Sequence, residues 1–276
     1  MFSTIPDDCR SPERTVLSTA AMDRFDDRTY WRLLDELART HRPVRFADLE
    51  RSAPDRYFIL RHDIDYSPAA GLRLAREESK RGVQATYFLL VGCLYYSLLD
   101  PEYAGVPREI GELGHEIGLH YDVNTFVHLP RGRWEALLQS QARLLEDLAG
   151  VPVRAIAMHQ PGLNNHDPFR VSTAGFVNAY DDAYFKEMPY VSDSCRAFRD
   201  AGWDLLTGPS RPDRFQLALH PINWAEADRG REEIFEGVHT TAARRLDTAK
   251  EVLLAQIARH EGVLQHESRI KGGSGS

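Results

Sequence analysis

The feature that most constrains the fold of this chain is an alternation of short apolar runs with segments of helical periodicity. The helical segments carry their own boundary signals: Ser67 and Pro68 open one, and Gly150 closes another. Strands that alternate with helices, with neither repeats nor long linkers, predict one α/β domain built as a β/α barrel. The predicted strands lie near 57–65, 85–91, 116–120, 153–159, 176–180, 190–193 and 215–220.

The composition excludes several classes of protein. A chain of 276 residues, 42% of them hydrophobic, is long enough to bury a large core. Its formal net charge of −7 disfavours a nucleic-acid binder, and no apolar stretch approaches the roughly 20 residues that span a membrane. Cys9, Cys93 and Cys195 are few and far apart, which indicates neither a disulfide framework nor a thiolate metal site. We therefore predict a cytoplasmic protein whose partners are neither nucleic acid nor membrane.

The sequence also suggests where the domain begins and ends. Residues 1–25 form an N-terminal extension without the apolar core of a signal peptide, and residues 26–266 form the predicted barrel domain. Residues 267–276 end in a Gly/Ser tail. A long amphipathic helix is predicted over 232–260. Covering the barrel is the use we favour for it, and joining two copies in a homodimer is the second.

Two carboxylates end the first long strand. Asp63 and Asp65 follow an apolar run and, because a strand alternates its faces, they project to the same side. Two carboxylates so close repel each other unless a cation or a shared proton neutralises them. The ordinary alternative is a strand that turns polar as it enters a loop.

Five apolar runs along the chain, including the first, end in polar side chains. They end at Asp63 and Asp65, at His120, at His159, at Asp193 and at His220. The C-terminal strand ends of a β/α barrel converge on the face that carries active sites. A lone His at a strand end is usually structural, but three with two carboxylates suit Zn²⁺ or another divalent ion such as Co²⁺, Ni²⁺, Mn²⁺ or Fe²⁺.

Other catalytic motifs are excluded by their geometry. His115 and His120 are five residues apart, so they do not share a helix face as the two histidines of a zincin do. The chain also contains no Gly-x-Ser-x-Gly elbow and no Gly-rich loop after a strand. A nucleophilic serine hydrolase and a nucleotide-binding enzyme are therefore disfavoured.

The order of the motifs resembles that of the polysaccharide deacetylase (NodB-like) superfamily. The likeness is greatest to an intracellular, small-substrate branch with an Asp-x-Asp first motif, and it covers residues 30–224. The motifs are RHDID at 61–65, GHEIGLH at 114–120, HQPG at 159–162, YVSDS at 190–194 and LHP at 219–221.

The resemblance implies a fold, a reaction and a role for each motif residue. The family folds as an irregular (β/α)7 barrel and removes N-acetyl groups with a bound divalent metal, usually zinc. By position, Asp63 resembles the catalytic base, and Asp65 and His120 resemble metal ligands. His220 resembles the general acid, and Asp193 the carboxylate that orients it.

Two positions depart from the family pattern. The second metal histidine of the family corresponds here to Asn124, and His159 stands where many members carry an arginine that contacts the base. We expect His159 to supply the missing nitrogen ligand, with Asn124, Asp122 or His128 as alternatives. His128 is better explained as a surface-loop residue.

The predicted substrate is a small, N-acylated and sugar-derived molecule, and we expect Arg61 and Tyr95 to contact it. Tyr96 and Tyr103 are further candidates for the pocket wall, whereas Tyr87 and Phe88 are better explained as core. Two alternatives stay open. The metal site could act on another C–N bond, in a cyclic amide or imide, or the chain could bind a sugar without catalysis, as the Asn124 departure would allow.

Overall fold

The computed structural model describes residues 24–49, 53–125, 127–161, 175–198, 202–208 and 211–273. Most of the predicted N-terminal extension, Gly162 of the third motif and Ser274–Ser276 of the predicted tail lie outside these ranges. The chain divides into two compact units, Met1–Arg231 and Glu232–Ser276. No helix in the described ranges is long and apolar enough to cross a membrane.

The first unit is built on a parallel sheet. Its strands run in the order β6-β5-β4-β3-β2-β8-β7, and β1 pairs with the start of β2. This arrangement of seven parallel strands with helical connections confirms the predicted α/β class and the irregular (β/α)7 barrel. The strands are β1 (Arg42–Val44), β2 (Tyr57–Ile64), β3 (Thr86–Leu90), β4 (Glu116–Tyr121), β5 (Ala155–Met158), β6 (Val177–Asn178), β7 (Tyr190–Ser192) and β8 (Arg214–Leu219).

The helices begin and end at the residues that their sequence signals indicate. The Ser67 side chain accepts a hydrogen bond from the Ala70 backbone at 3.2 Å, and Gly150 adopts a left-handed φ of 71° after α5. The helices are α1 (Asp27–Ala38), α2 (Phe46–Leu49), α3 (Pro68–Lys80), α4 (Val106–Glu112), α5 (Trp134–Ala149), α6 (Asp182–Phe185), α7 (Gly202–Thr207) and α8 (Arg231–Gly273).

A close approach at Gly118 shapes the interior of the barrel. The Phe88 ring lies across this glycine, where a Cβ atom would sit 2.5 Å from the ring carbons. Phe88 in turn pairs in register with Asp63 on β2. Any larger residue at 118 would push the ring toward the strand that carries the two carboxylates.

Two elements differ from the sequence expectation. Strand β1 was not predicted, because Arg42–Val44 is three residues long and contains a proline. Helix α8 continues to Gly273, beyond residue 260 and into the predicted tail. Residues 261–271 contain several strong helix formers and no proline, so nothing in that segment stops the helix.

Candidate active site

The carboxyl ends of five strands bring the predicted site residues to one face of the sheet. Strand β2 presents Asp63 and leads into Asp65, β4 presents His120, and β5 leads into His159. Strand β7 leads into Asp193, and β8 into His220. The parallel register therefore gathers residues that are up to 157 positions apart in the sequence.

Asp65, His120 and His159 form a compact trio of buried side chains. Asp65 Oδ1 lies 3.1 Å from His120 Nε2 and 3.2 Å from His159 Nδ1. The two imidazole nitrogens are 3.2 Å apart. Three potential ligand atoms thus meet at nearly equal separations, as they do around a single cation.

The chemistry of the trio fits a divalent metal ion. His120 Nδ1 lies 2.9 Å from the Ala157 carbonyl, so this nitrogen carries the proton and leaves the Nε2 lone pair facing the trio. Asp65 Oδ1 is buried and has no hydrogen bond of acceptable geometry. One carboxylate oxygen and two imidazole nitrogens suit zinc and its first-row neighbours.

The other proposed third ligands lie elsewhere. Among the His, Cys, Asp and Glu residues that the structure describes, the trio is the single group that meets the spacing of a metal site. Asp122 accepts a hydrogen bond from the Asn124 backbone at 2.9 Å, in the turn that follows β4. Asn124 and His128 are both exposed. The geometry favours His159, whose role as a ligand stays a prediction.

Arg61 forms a two-point salt bridge with Asp63, the predicted base. Its Nε and Nη2 atoms each lie 2.7 Å from one oxygen of Asp63, and the arginine is completely buried. Burial would raise the pKa of the Asp63 carboxyl, but the Arg61 charge, with smaller help from His120 and His220, holds it below its usual range. Asp63 is therefore ionised and able to accept a proton.

The structure places Arg61 among buried partners, and its predicted contact with the substrate stays a prediction. Arg61 lies two residues before Asp63 on the same face of β2, and so one step deeper inside the barrel. Its Nη1 donates to Gln216 Oε1 at 3.2 Å and its Nη2 to the Tyr180 hydroxyl at 3.0 Å. The guanidinium also stacks on the Phe88 and Tyr180 rings, 5.2 and 4.7 Å from their centres.

His220 and Asp193 form a second coupled pair across the site. His220 Nδ1 donates to Asp193 Oδ1 at 2.6 Å, while His220 Nε2 lies 3.7 Å from Asp65 Oδ2. Burial would lower the pKa of His220, but Asp193 outweighs it, and the pKa rises to about 10. The imidazolium therefore carries a proton at neutral pH and directs its Nε2 toward the trio.

Asp193 is held by several residues that the sequence did not single out. Trp224 Nε1 donates to its Oδ2 at 2.8 Å, Asn223 Nδ2 at 3.1 Å, and the His220 backbone donates to both oxygens. Gln216, which anchors Arg61, was also missed. The sequence did contain a signal for Gln216: a lone amide side chain in the apolar run of β8 requires buried hydrogen-bond partners.

The odd-numbered and even-numbered residues of the first motif serve different networks. His62 points away from the trio, and its Nε2 lies 2.8 Å from Glu78 Oε1 on α3. The same buried carboxylate accepts hydrogen bonds from the Tyr30 and Tyr87 hydroxyls. His115 also packs on this side, with Nε2 2.9 Å from the Ala75 carbonyl, which agrees with the exclusion of a zincin pair.

The structure separates the tyrosines that were candidates for the pocket wall. Tyr95 is half-buried and packs edge to face against Tyr66, whose ring in turn contacts His159. Tyr96 and Tyr103 are buried, and the Tyr96 hydroxyl donates to the Ile64 carbonyl at 2.8 Å. Tyr66 therefore lies beside the trio with Tyr95 packed against it, and Tyr96 and Tyr103 belong to the packed interior.

Comparisons with known proteins place this chain among low-identity structural relatives. No protein-family model matches it, and no curated protein matches it. The solved structures with a similar fold are esterases and deacetylases of carbohydrate esterase family 4.

Three of these structures illustrate the extent of the likeness. A family 4 carbohydrate esterase from Streptomyces lividans in complex with acetate is 12% identical, with a TM-score of 0.41 over 69% of this chain and 88% of that chain. The catalytic domain of a peptidoglycan N-acetylglucosamine deacetylase from Eubacterium rectale is 14% identical, with a TM-score of 0.40 over 72% and 91%. A family 4 pseudoenzyme from Bacillus anthracis is 17% identical, with a TM-score of 0.39 over 71% and 67%. The likeness concerns the fold, and the assignment of roles rests on the motifs and side chains of this chain.

Proposed function

We propose that this protein is a metal-dependent hydrolase that removes an N-acetyl or similar acyl group from a small substrate. The observation that carries the proposal is the position of a protonated His220 opposite the Asp65, His120 and His159 trio, with an ionised Asp63 beside it. An acid, a base and three converging ligand atoms on one face are the parts that amide hydrolysis needs.

Asp65, His120 and His159 would hold the cation. When bound, a divalent ion such as zinc supplies Lewis-acid chemistry by polarising a carbonyl and lowering the pKa of water. His120 is prepared for this role by its bond to the Ala157 carbonyl, which fixes the tautomer.

Asp63 and His220 divide the proton transfers between them. Asp63 is ionised and its Oδ2 lies 4.0 Å from His120 Nε2, which supports our proposal that it takes the proton from the attacking water. His220 is protonated and donates from Nε2 to the departing amine, which cannot leave as an anion. Asp193 keeps the imidazole oriented and stabilises its charge.

We propose a sugar-derived, N-acylated and intracellular substrate. Tyr66 supports a ring-shaped ligand, because its ring centre lies 6.3 Å from that of His159 and aromatic rings pack on apolar faces of cyclic molecules. The small-substrate branch of the deacetylases remains the assignment that we propose.

A substrate panel tests the reaction class. Purified protein loaded with zinc is incubated with N-acetylated sugars, sugar nucleotides and cyclic amides, and the products are weighed by mass spectrometry. Loss of an acetyl group that stops on chelation and returns with zinc supports the proposal. A gain of water on cyclic amides instead assigns the site to another C–N bond. Binding of a sugar without any mass change, at full zinc occupancy, assigns the chain to the non-catalytic alternative.

A further inference from the structure

A hydrogen bond joins the loops that follow β2 and β5, on the solvent side of the trio. Gln160 Nε2 donates to the Tyr66 hydroxyl at 3.1 Å. Each partner directly follows a trio residue in the chain, since Tyr66 follows Asp65 and Gln160 follows His159. Asp65 and His159 are buried, whereas Tyr66 is half-buried and Gln160 is exposed. We call the Tyr66–Gln160 contact the outer bridge, because it lies nearer to solvent than the contact between Asp65 and His159.

The backbone of Gln160 adopts a conformation that is rare for glutamine. Its φ of 47° lies in the left-handed region, which few residues other than Gly, Asn and Asp adopt. Residues in such conformations persist only where their surroundings hold them, and they cluster at functional sites. The hydrogen bond to Tyr66 uses this conformation, because it carries the Gln160 side chain across to the loop that follows β2.

The loop after β3 supports the Tyr66 ring. Tyr95 packs edge to face against this ring, with the ring centres 5.6 Å apart and the ring planes at 82°. Tyr95 is itself held in a tight turn, because the Cys93 backbone donates to the Tyr96 carbonyl at 2.8 Å. The Tyr66 ring also contacts His159, with the ring centres 6.3 Å apart. The loops after β2, β3 and β5 therefore form one continuous wall beside the trio.

The order of the strands places this wall across the trio from the acid. Strands β3 and β4 lie between β2 and β5 in the sheet, whereas β8 and β7 lie on the other side of β2. The outer bridge thus has the loops after β3 and β4 on one side, and His220 and Asp193 on the other. The Asp65 carboxylate is divided in the same way: Oδ1 lies 3.2 Å from His159 Nδ1, and Oδ2 lies 3.7 Å from His220 Nε2.

We propose that the outer bridge limits this hydrolase to a lone or terminal N-acylated sugar unit and excludes the internal units of a polymer. The inference rests on the proposed function, in which the reacting amide lies between the trio and His220. An internal unit carries a neighbouring sugar on each side, and a neighbour on the β3–β4 side would meet Tyr66 and Gln160. A lone sugar or a chain end can extend toward β7 and β8 alone.

A pair of substrates tests the size limit. N-acetylglucosamine and its β-1,4-linked trimer are given to the zinc-loaded protein, and fragmentation in a mass spectrometer locates each lost acetyl group. The readout is the ratio of kcat/KM at the middle unit of the trimer to kcat/KM for the lone sugar. We expect a ratio that is roughly 100-fold below one in the wild type.

The outcomes separate this inference from the function on which it rests. Deacetylation of the lone sugar and of the middle unit with similar kcat/KM would overturn the inference and leave the hydrolase intact. If neither compound loses an acetyl group, the proposed sugar substrate fails, and the size limit fails with it.

Two substitutions of Gln160 test the bridge itself. Gln160→Gly removes the side chain and relieves the left-handed backbone, so the variant should be at least as stable to heat as the wild type. Its ratio should rise by about tenfold or more, because the wall is then open at one point. Gln160→Glu keeps the length of the side chain and can accept a hydrogen bond from the Tyr66 hydroxyl, so its ratio should stay within about twofold of the wild-type value.

Circular dichroism and zinc content check that both variants keep the fold and the metal. A Gln160→Gly variant with the wild-type ratio would overturn the role of the outer bridge. Equal ratios in the two variants would do the same, because the length of the side chain would then not matter.

Discussion

Arg61 and Asp63 are joined by a two-point salt bridge inside the barrel, with both nitrogen-to-oxygen distances at 2.7 Å. The two residues are neighbours on one face of the same strand, so the base and its counter-charge are positioned together by β2 alone. In this chain, His159 stands at the position where many members of the family that the motifs resemble carry an arginine that contacts the base. Arg61 supplies a guanidinium to Asp63 from the same strand, while His159 lies with Asp65 and His120 in the trio.

Removing Arg61 should cost much of the stability of the fold. Arg61→Met leaves the Asp63 carboxylate buried without a partner, and we expect a loss of about 3–5 kcal/mol in the free energy of unfolding. Urea denaturation measures the change. The double variant Arg61→Met with Asp63→Asn removes both charges and should regain most of that stability. A single variant as stable as wild type would contradict this account of the pair.

Asp63→Asn should separate metal binding from turnover. The amide cannot accept a proton as a base does, so we expect a fall in kcat of roughly 10²- to 10⁴-fold. Elemental analysis should still find zinc, because Asp63 is not part of the trio. Normal deacetylation by this variant would mean that another group is the base.

The pH profile should reveal the coupling of His220 to Asp193. The acid works only while His220 is protonated, so kcat should fall as pH rises through its pKa of about 10. Asp193→Asn removes the carboxylate that raises this pKa, and the alkaline limb of the kcat profile should move to lower pH. Gln216→Leu serves as a comparison because it alters the Arg61 side of the site. A limb that stays in place in Asp193→Asn would remove His220 from the role of acid.

His159→Ala should weaken zinc binding more strongly than a change behind the ligands does. Losing one of three ligands should lower the affinity by more than the roughly 10- to 100-fold that is typical of changes to supporting residues. Calorimetric titration of metal-free protein measures this directly, without a substrate. His128→Ala is the matched control, since that histidine is exposed, and it should bind zinc as the wild type does. Equal affinities in the two variants would exclude His159 as a ligand.

Much of the fold and the site followed from local patterns in the chain. The strand ends at Asp65, His120 and His220 were predictable because an apolar run that stops at an ionisable residue indicates both the strand and its exit. The cap at Ser67 and the stop at Gly150 were predictable for equally local reasons.

The contacts that depend on distant residues were not predictable. The depth of Arg61 in the barrel was not predictable, because it depends on the neighbours that β3 and β8 provide. The burial of Tyr96 and Tyr103 was not predictable for the same reason, because it depends on contacts that the sequence does not display. Spacing along a strand fixes the face of a side chain, but not its partner across the sheet.

The alternation of Arg61, His62 and Asp63 fixes the register of β2 against its neighbouring strands. A shift of one residue would turn Arg61 toward Glu78 on α3 and bring His62 into the barrel, so two separate charge networks would fail together. The Arg61–Asp63 pair and the His62–Glu78 pair therefore both stabilise the same register of β2. An insertion or deletion in this strand should then be far more damaging than the replacement of any one of its side chains.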